Sequence, residues 1–393
     1  MRDWARRAFG STLACLLVAS CHSDSDRAPF AGGVDPGLTR DGGIVLPPGD
    51  PNNTGPPNCG GQTLQAVVDK PLLYFVIDRS GSMSAVMPDS RLTRYEAAVE
   101  AVGEVLASVG HRVRYGATVY PSGSSAGNCG AGQQVFAATD GDPLEDVGAD
   151  GEGPVLKLLL NRLKLQSLGG ATPTAATLQS VGRRVGGLAK SVSVVLVTDG
   201  APNCNARASC GSELCIPDLE GVEISEGVCG VDFSCCDEEL FGIGAGSNCV
   251  DEDGSAEAVG TLADAGIRTF VVGLPGSKTF GSVLNRLAEA GGTPRAGSTA
   301  YFAAEDSESL ADALHEIGAG VTIPCEVELT KVPDDLTRLN LYFDQDVVPQ
   351  DPDNGWTWSG TSALTLVGAA CDTLKSGAVS ELQIVYGCET ILR

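Results

Sequence analysis

Apolar and polar positions along the chain follow two periods in turn. Residues 72–77 form an unbroken apolar run that stops at Asp78, the pattern of a strand buried on both faces, and residues 192–197, interrupted only by Ser193, follow it before Thr198-Asp199-Gly200. Between them, Thr93-Arg94-Tyr95-Glu96 carries a capping-box signature, and Tyr95, Ala98, Val99, Val102, Val105, Leu106 and Val109 follow at helical spacing. Residues 113–121 and 133–138 read as strands, 155–165 and 172–188 as helices. The rhythm continues with a helix over 255–265, a strand over 268–273, a helix over 280–290 and a strand over 300–303. A last helix over 307–317 sets Leu310, Leu314 and Ile317 on one face. This alternation predicts an α/β fold with a central, mostly parallel sheet flanked by helices.

Three stretches break the rhythm. Residues 201–252 hold seven of the fourteen cysteines among glycines and acids, and read as a cysteine-rich insertion directly after Asp199. Over 326–393 the pattern shifts to short β-like runs at 326–329, 339–343, 363–367 and 382–386, so a small C-terminal β appendage is expected. Trp356 and Trp358 there fit either an exposed binding platform or the plug of a small β core; core packing is favoured, because aromatics with one polar end commonly fill such cores. At the N-terminus, Arg2, Arg6 and Arg7 precede an apolar run over 8–19 that is too short to span a bilayer, so residues 1–20 are expected to be a signal peptide. Val18-Ala19-Ser20-Cys21 resembles the bacterial lipobox, which implies lipidation of Cys21, and the Gly/Pro-rich residues 21–58 read as a lipid-anchored linker.

A formal charge of −24 argues against nucleic acid partners and against charge-driven binding to anionic membranes, so the membrane is reached through the N-terminal lipid only. Carboxylates crowd residues 140–152, but their spacing misses the EF-hand pattern and they read as solvated surface. For the insertion, zinc ligation and disulfides compete. His22, His111 and His315 are scattered, no matched C-x₂-C pairs occur, and an exported chain favours oxidation, so disulfides are expected.

The chemistry concentrates at Asp78-Arg79-Ser80-Gly81-Ser82, a D-x-S-x-S in which Gly81 lets the backbone turn tightly enough for one carboxylate and two hydroxyls to converge. Such hard oxygen donors suit Mg²⁺, Mn²⁺ or Ca²⁺, and so short a motif fills only part of an octahedral shell. Leu168-Gly169-Gly170-Ala171-Thr172-Pro173-Thr174 adds a tight, threonine-bearing loop, and Thr198-Asp199-Gly200 a second acid at a strand end. In a parallel α/β sheet the carboxyl ends of the strands share one edge, so the three loops can meet there. In this order they resemble the von Willebrand factor A (VWA) domain with its metal-ion-dependent adhesion site, over residues 59–325. The resemblance implies a Rossmann-like fold. It also implies Asp78, Ser80 and Ser82 as first-loop metal ligands, Thr172 as the second-loop ligand ahead of Thr174, and Asp199 as the third. The implied ion is Mg²⁺ or Mn²⁺, with Ca²⁺ ranked behind them.

Without Cys15 and Cys21, twelve cysteines remain; seven lie in the insertion, so at least one bond leaves it. Cys129 is the expected outside partner, with one of Cys204, Cys210, Cys215, Cys229, Cys235, Cys236 or Cys249. The resemblance brings residues 59 and 325 together, which implies a Cys59–Cys325 bond and leaves Cys371 with Cys388. A Cys59–Cys325 bond would restrain the axial shift that the last helix makes in some A domains. The function implied is non-catalytic: a lipoprotein of the bacterial cell envelope, at the outer membrane or surface. Its ion would recognise an acidic side chain of a protein partner, in adhesion or surface-complex assembly. Two other readings stay open. One is a structural envelope scaffold with an unused site, for which Arg79 is a warning should it fold toward Asp78. The other is a metal-assisted hydrolase, which lacks a histidine or paired glutamate near the ligand loops.

Overall fold

Continuous apolar runs set the inner strands, and everything else is arranged around them. The computed structural model describes residues 44–45, 63–66, 70–125, 128–205, 207–208, 210–211, 214–216, 236, 248–321, 323–329, 335–379 and 381–392, all within the unit Pro36–Arg393. The expected signal peptide, Cys21, Cys59 and most of the linker and insertion, including Cys229 and Cys235, lie outside the described residues. In chain order the first strands and helices are β1 (Ile44–Val45), β2 (Thr63–Ala66), β3 (Leu72–Asp78), α1 (Arg94–Val109), β4 (Arg114–Tyr120), β5 (Gln133–Asp140), α2 (Pro154–Lys164), α3 (Thr174–Val185) and β6 (Val192–Thr198). Then come α4 (Glu252–Asp264), β7 (Ile267–Gly273), α5 (Gly281–Ala290), β8 (Phe302–Ala303), α6 (Ser307–Gly320), β9 (Glu326–Glu328), β10 (Leu339–Phe343) and β11 (Asp346–Val348). The last are β12 (Trp356–Ser359), β13 (Ala363–Leu366), α7 (Gly368–Lys375) and β14 (Leu382–Tyr386).

Six strands form one sheet in the order β5-β4-β3-β6-β7-β8, parallel except for the β4–β5 edge pair. Every residue of β3 and β6 is buried, as their largely apolar runs require. Side chains alternate across β3: Leu73, Phe75 and Ile77 join the core under α1, α2 and α6, and Leu72, Tyr74 and Val76 the core under α3, α4 and α5. The chain leaves β3 toward β4 on one side and returns to β6 on the other, so the strand order reverses between β3 and β6. That switch point is where an open α/β sheet forms a ligand crevice.

The expected capping box is present: the Thr93 hydroxyl accepts from the Glu96 amide at 3.2 Å, and the Thr93 amide donates to the Glu96 carboxylate at 2.8 Å. Helix α3 begins at Thr174, later than the sequence suggested, which leaves Thr172 in the loop. Asp142 departs from the solvated surface expected of its acidic stretch. It is buried and accepts from the amides of Val155 and Leu156 at 2.8 and 3.0 Å, capping α2.

The expected C-terminal β region is present, with β9, β10, β13 and β14 in the four predicted runs, and it also takes strands from upstream. Two four-stranded sheets, β1-β9-β13-β12 and β11-β10-β14-β2, enclose a core built on Trp356, whose indole donates to the Val348 carbonyl at 3.0 Å. Both sheets take a strand from before the six-stranded domain: β1 pairs in parallel with β9, and β2 antiparallel with β14. Ile44–Val45 is therefore a paired strand within the expected linker, and Thr63–Ala66 belongs to the sandwich although the sequence reading placed it in the A domain.

The expected Cys59–Cys325 and Cys371–Cys388 pairings are corrected: Cys325 is bonded to Cys371. The reason is local. The Leu366 amide donates to the Cys325 carbonyl at 2.8 Å, so β13 runs beside Cys325 and leads directly into α7, which carries Cys371. Cys388 is also disulfide-bonded. Within reach of the insertion, Cys129 is bonded to Cys204, Cys210 to Cys249 and Cys215 to Cys236. Among the described residues no helix is long and apolar enough to cross a membrane.

Candidate metal centre at the sheet edge

Asp78 ends β3, and the chain after it turns into a short 3₁₀ segment at Gly81–Ser84. The turn brings the Ser80 amide to one Asp78 oxygen at 2.8 Å, while the Thr198 hydroxyl at the end of β6 donates to the other at 2.6 Å. The Ser80 and Ser82 hydroxyls lie 3.2 Å apart, and Ser82 Oγ donates to Asp199 Oδ1 at 2.7 Å. Asp78, Ser80, Ser82 and Asp199 are thus joined in one hydrogen-bonded group across the β3–β6 switch point.

Thr172 reaches the group through its loop, which is fastened on both sides. The Gly169 amide donates to the Arg79 carbonyl at 2.9 Å and the Gly81 amide to the Gly170 carbonyl at 3.1 Å, tying this loop to the first. The Thr172 amide donates to Asn203 Oδ1, and the Asn203 amide donates to the Thr172 carbonyl, both at 2.9 Å, tying it to the third. Gly170 is required here: it has φ +86°, and a Cβ would lie 2.6 Å from Pro121 Cγ and 2.9 Å from the Gly123 carbonyl.

Asp78 and Thr172 are fully buried and Asp199 nearly so. Burial, and next the Asp199 charge, push the Asp78 carboxyl well above the usual carboxylate range, against the bonds from Thr198 and Ser80. Two buried carboxylates with three hydroxyls form a donor set short of positive charge, and its hard oxygens fit a small divalent cation.

Two arginines border the site, and only one faces it. Arg79 turns away from Asp78: its Nε donates to the Pro121 carbonyl at 2.9 Å and its Nη1 to the Ser167 carbonyl at 2.8 Å, so it staples the surrounding loops. Arg94, which the sequence reading passed over as part of a helix cap, lies 2.5 Å through Nη1 from Asp199 Oδ2. Asn203 was likewise missed, since nothing about an Asn beside a cysteine signals a loop clamp.

The zinc alternative has no free cysteine to offer among the described residues. The sulfurs of Cys210, Cys236 and Cys249 lie within 4.8 Å of one another, but all three are held in disulfides. His111 is committed at the opposite, N-terminal edge of the sheet, where its Nε2 is 2.9 Å from the Ser376 carbonyl.

No family model matches the chain, and no curated protein matches it. Among solved structures it is similar to the pilus adhesin SpaC from Lactobacillus rhamnosus GG, at 14% identity and a TM-score of 0.42, over 83% of this chain and 41% of that one. It is also similar to the vWF domain of the type V pili tip protein Mfa5 from Porphyromonas gingivalis, at 12% identity and a TM-score of 0.41, over 65% of this chain and 96% of that one. A third is the manganese-loaded TRAP protein of Plasmodium vivax, at 15% identity and a TM-score of 0.37, over 64% of this chain and 74% of that one. The chain spans about two fifths of the length of SpaC. The larger domain has the Rossmann-like architecture that the resemblance to VWA domains implied: a doubly wound sheet with helices on both faces and three hydroxyl- and carboxylate-bearing loops at the switch point.

Proposed function

We propose that the chain is a non-catalytic recognition protein of a bacterial cell surface, anchored through lipidated Cys21, that grips an acidic side chain of a protein partner at a divalent cation. The observation that carries this reading is the joining of Asp78, Ser80, Ser82 and Asp199, with the Thr172 loop bonded to both neighbouring loops, at the strand reversal. Asp78, Ser80, Ser82, Thr172 and Asp199 would hold Mg²⁺ or Mn²⁺, which when bound supplies a positive centre for a partner carboxylate. The chain's own part is to keep these oxygens converged in a dry edge, so that little ordering remains to be done on binding. The insertion follows Asp199 directly in sequence, and specificity would lie there.

One observation favours the scaffold reading instead: Arg94 already neutralises Asp199. Thermal unfolding of the oxidised protein in chelator, Mg²⁺, Mn²⁺ and Ca²⁺ decides between them. A ligand of the folded state at a hundred times its Kd adds about 2.7 kcal/mol, a rise of roughly 2–4 °C per kcal/mol for a domain of this class. The recognition reading expects that rise with Mg²⁺ or Mn²⁺ and its loss in Asp78→Ala. No rise at millimolar metal would leave the scaffold reading in place.

A further inference from the structure

Arg94 is the first residue of α1, the end of a helix where a cation is disfavoured by the helix dipole. The helix does not need it, since Thr93 and Glu96 complete the cap without it. Its side chain instead crosses to the metal edge. Nη1 lies 2.5 Å from Asp199 Oδ2 and 3.4 Å from the Ser82 carbonyl, so one nitrogen bridges the first and third loops. A slot has been left for it: Gly276, at φ +106°, has no Cβ, and one there would lie 3.1 Å from both Nη1 and Nη2. The pair is desolvated, with the Asp199 side chain 0% and the Arg94 side chain 19% exposed, and Arg94 Nε is buried without a hydrogen-bond partner among the described residues. A residue placed against helix electrostatics, left partly unsatisfied and given space by a glycine, is held there for its contact with Asp199.

Resting on the divalent-cation reading above, we propose that Arg94 is a built-in counter-ion of the centre, which lowers its affinity for the cation and leaves the loaded centre with a surplus positive charge for an acidic ligand. The charge count runs through Asp78, Asp199 and Arg94. With Arg94 in place, a divalent cation brings two carboxylates and one guanidinium to a net single positive charge; without Arg94 the same centre is neutral. Repulsion between guanidinium and cation weakens cation binding, and the surplus charge strengthens attraction for a carboxylate. Arg94 is thus a positioning and specificity residue: it fixes Asp199 through an ion pair and selects ligand charge through its own.

The test is Mn²⁺ binding to the oxidised protein by calorimetry and by the loss of free-ion EPR signal, for wild type, Arg94→Gln and Arg94→Lys. The melting temperature in chelator checks that each variant is folded. Expected are a Mn²⁺ Kd tighter by about tenfold or more in Arg94→Gln and a near-wild-type value in Arg94→Lys. Acetate, as a carboxylate probe, should bind the Mn²⁺-loaded wild type better than loaded Arg94→Gln. Equal or weaker Mn²⁺ binding by folded Arg94→Gln overturns the proposal while leaving the cation reading intact. Binding by Arg94→Gln alone supports the counter-ion role and overturns cation-dependent recognition in the wild type. Absence of Mn²⁺ binding in all three removes the cation reading, and this proposal with it.

Discussion

Asn203 and Thr172 hold each other by a reciprocal pair of 2.9 Å bonds, the Thr172 amide to Asn203 Oδ1 and the Asn203 amide to the Thr172 carbonyl. The neighbours of this clamp are also fastened: the Ala171 amide donates to the Asn128 carbonyl at 3.2 Å, and the next residues along, Cys129 and Cys204, are bonded to each other. The loop that carries Thr172 is therefore held from both flanks by residues adjacent to one disulfide. Asn203→Ala leaves the buried Thr172 amide without its acceptor, a loss of about 1–3 kcal/mol, and frees the loop that carries Thr172. Urea unfolding and a Mn²⁺ titration should both show a deficit in Asn203→Ala, with Asn203→Asp recovering most of it. A stability loss with unchanged Mn²⁺ affinity would separate the clamp from the centre.

Asp251 caps α4, accepting from the Gly254 amide at 3.2 Å and from Asn205 Nδ2 at 2.9 Å, but its second oxygen is buried without a partner among the described residues. Burial, more than neighbouring charge, raises its carboxyl above the ordinary value. The folded state therefore holds the proton more tightly than the unfolded chain. Its stabilising share is full below the ordinary carboxylate value and is lost as pH rises through the raised one. Asp251→Asn keeps an acceptor for the cap and removes the buried charge. In urea melts it should match the wild type near pH 4 and exceed it at pH 7.5; lower stability at pH 7.5 would mean that the charge has a partner.

The larger domain was legible because its signals are strong and local. The apolar runs at 72–77 and 192–197, the capping box at Thr93 and the meeting of the three loops at one sheet edge each read correctly, since burial on both faces and tight glycine turns leave marks in a short window. The C-terminal β runs were legible too, but the recruitment of β1 and β2 was not, because they find their partners in β9 and β14, hundreds of residues away, and no periodicity encodes that pairing. The same non-locality misassigned Cys325, whose partner follows from β13 leading into α7. Asp142 was lost in a crowd of acids. Asp142→Ala should remove the α2 cap and cost about 1–2 kcal/mol in urea unfolding, whereas Asp150→Ala, on the exposed part of the same stretch, should change little.

The proposed acylation of Cys21 is open to direct labelling. If Cys21 is acylated, radiolabelled palmitate supplied to bacteria expressing the full chain labels the protein and it partitions into the detergent phase. Cys21→Ser should lose both properties while the folded part melts unchanged. Labelling that persists in Cys21→Ser would place the acyl group elsewhere.

The last helix of the larger domain is held at both ends, though not by the bond the sequence suggested. At its start, the Ser307 amide and hydroxyl donate to the two Asp89 oxygens at 3.0 and 3.1 Å. Along its length Gly318 packs so closely on α1 that a Cβ would lie 2.6 Å from Val105 Cγ2. Beyond its end, Cys325 is bonded to Cys371 in the sandwich. An axial slide of one turn, about 5.4 Å, would have to break the Asp89 bonds, climb past Val105 and drag a covalent tether. The oxidised protein is therefore expected to bind cation without moving α6, and amide exchange across Ser307–Gly320 should be the same in chelator and in Mn²⁺. Cutting the tether with Cys325→Ser and Cys371→Ser should speed exchange at the C-terminal end of α6 and make it respond to Mn²⁺. Cation-dependent exchange already present in the oxidised wild type would show that the tether does not restrain the helix.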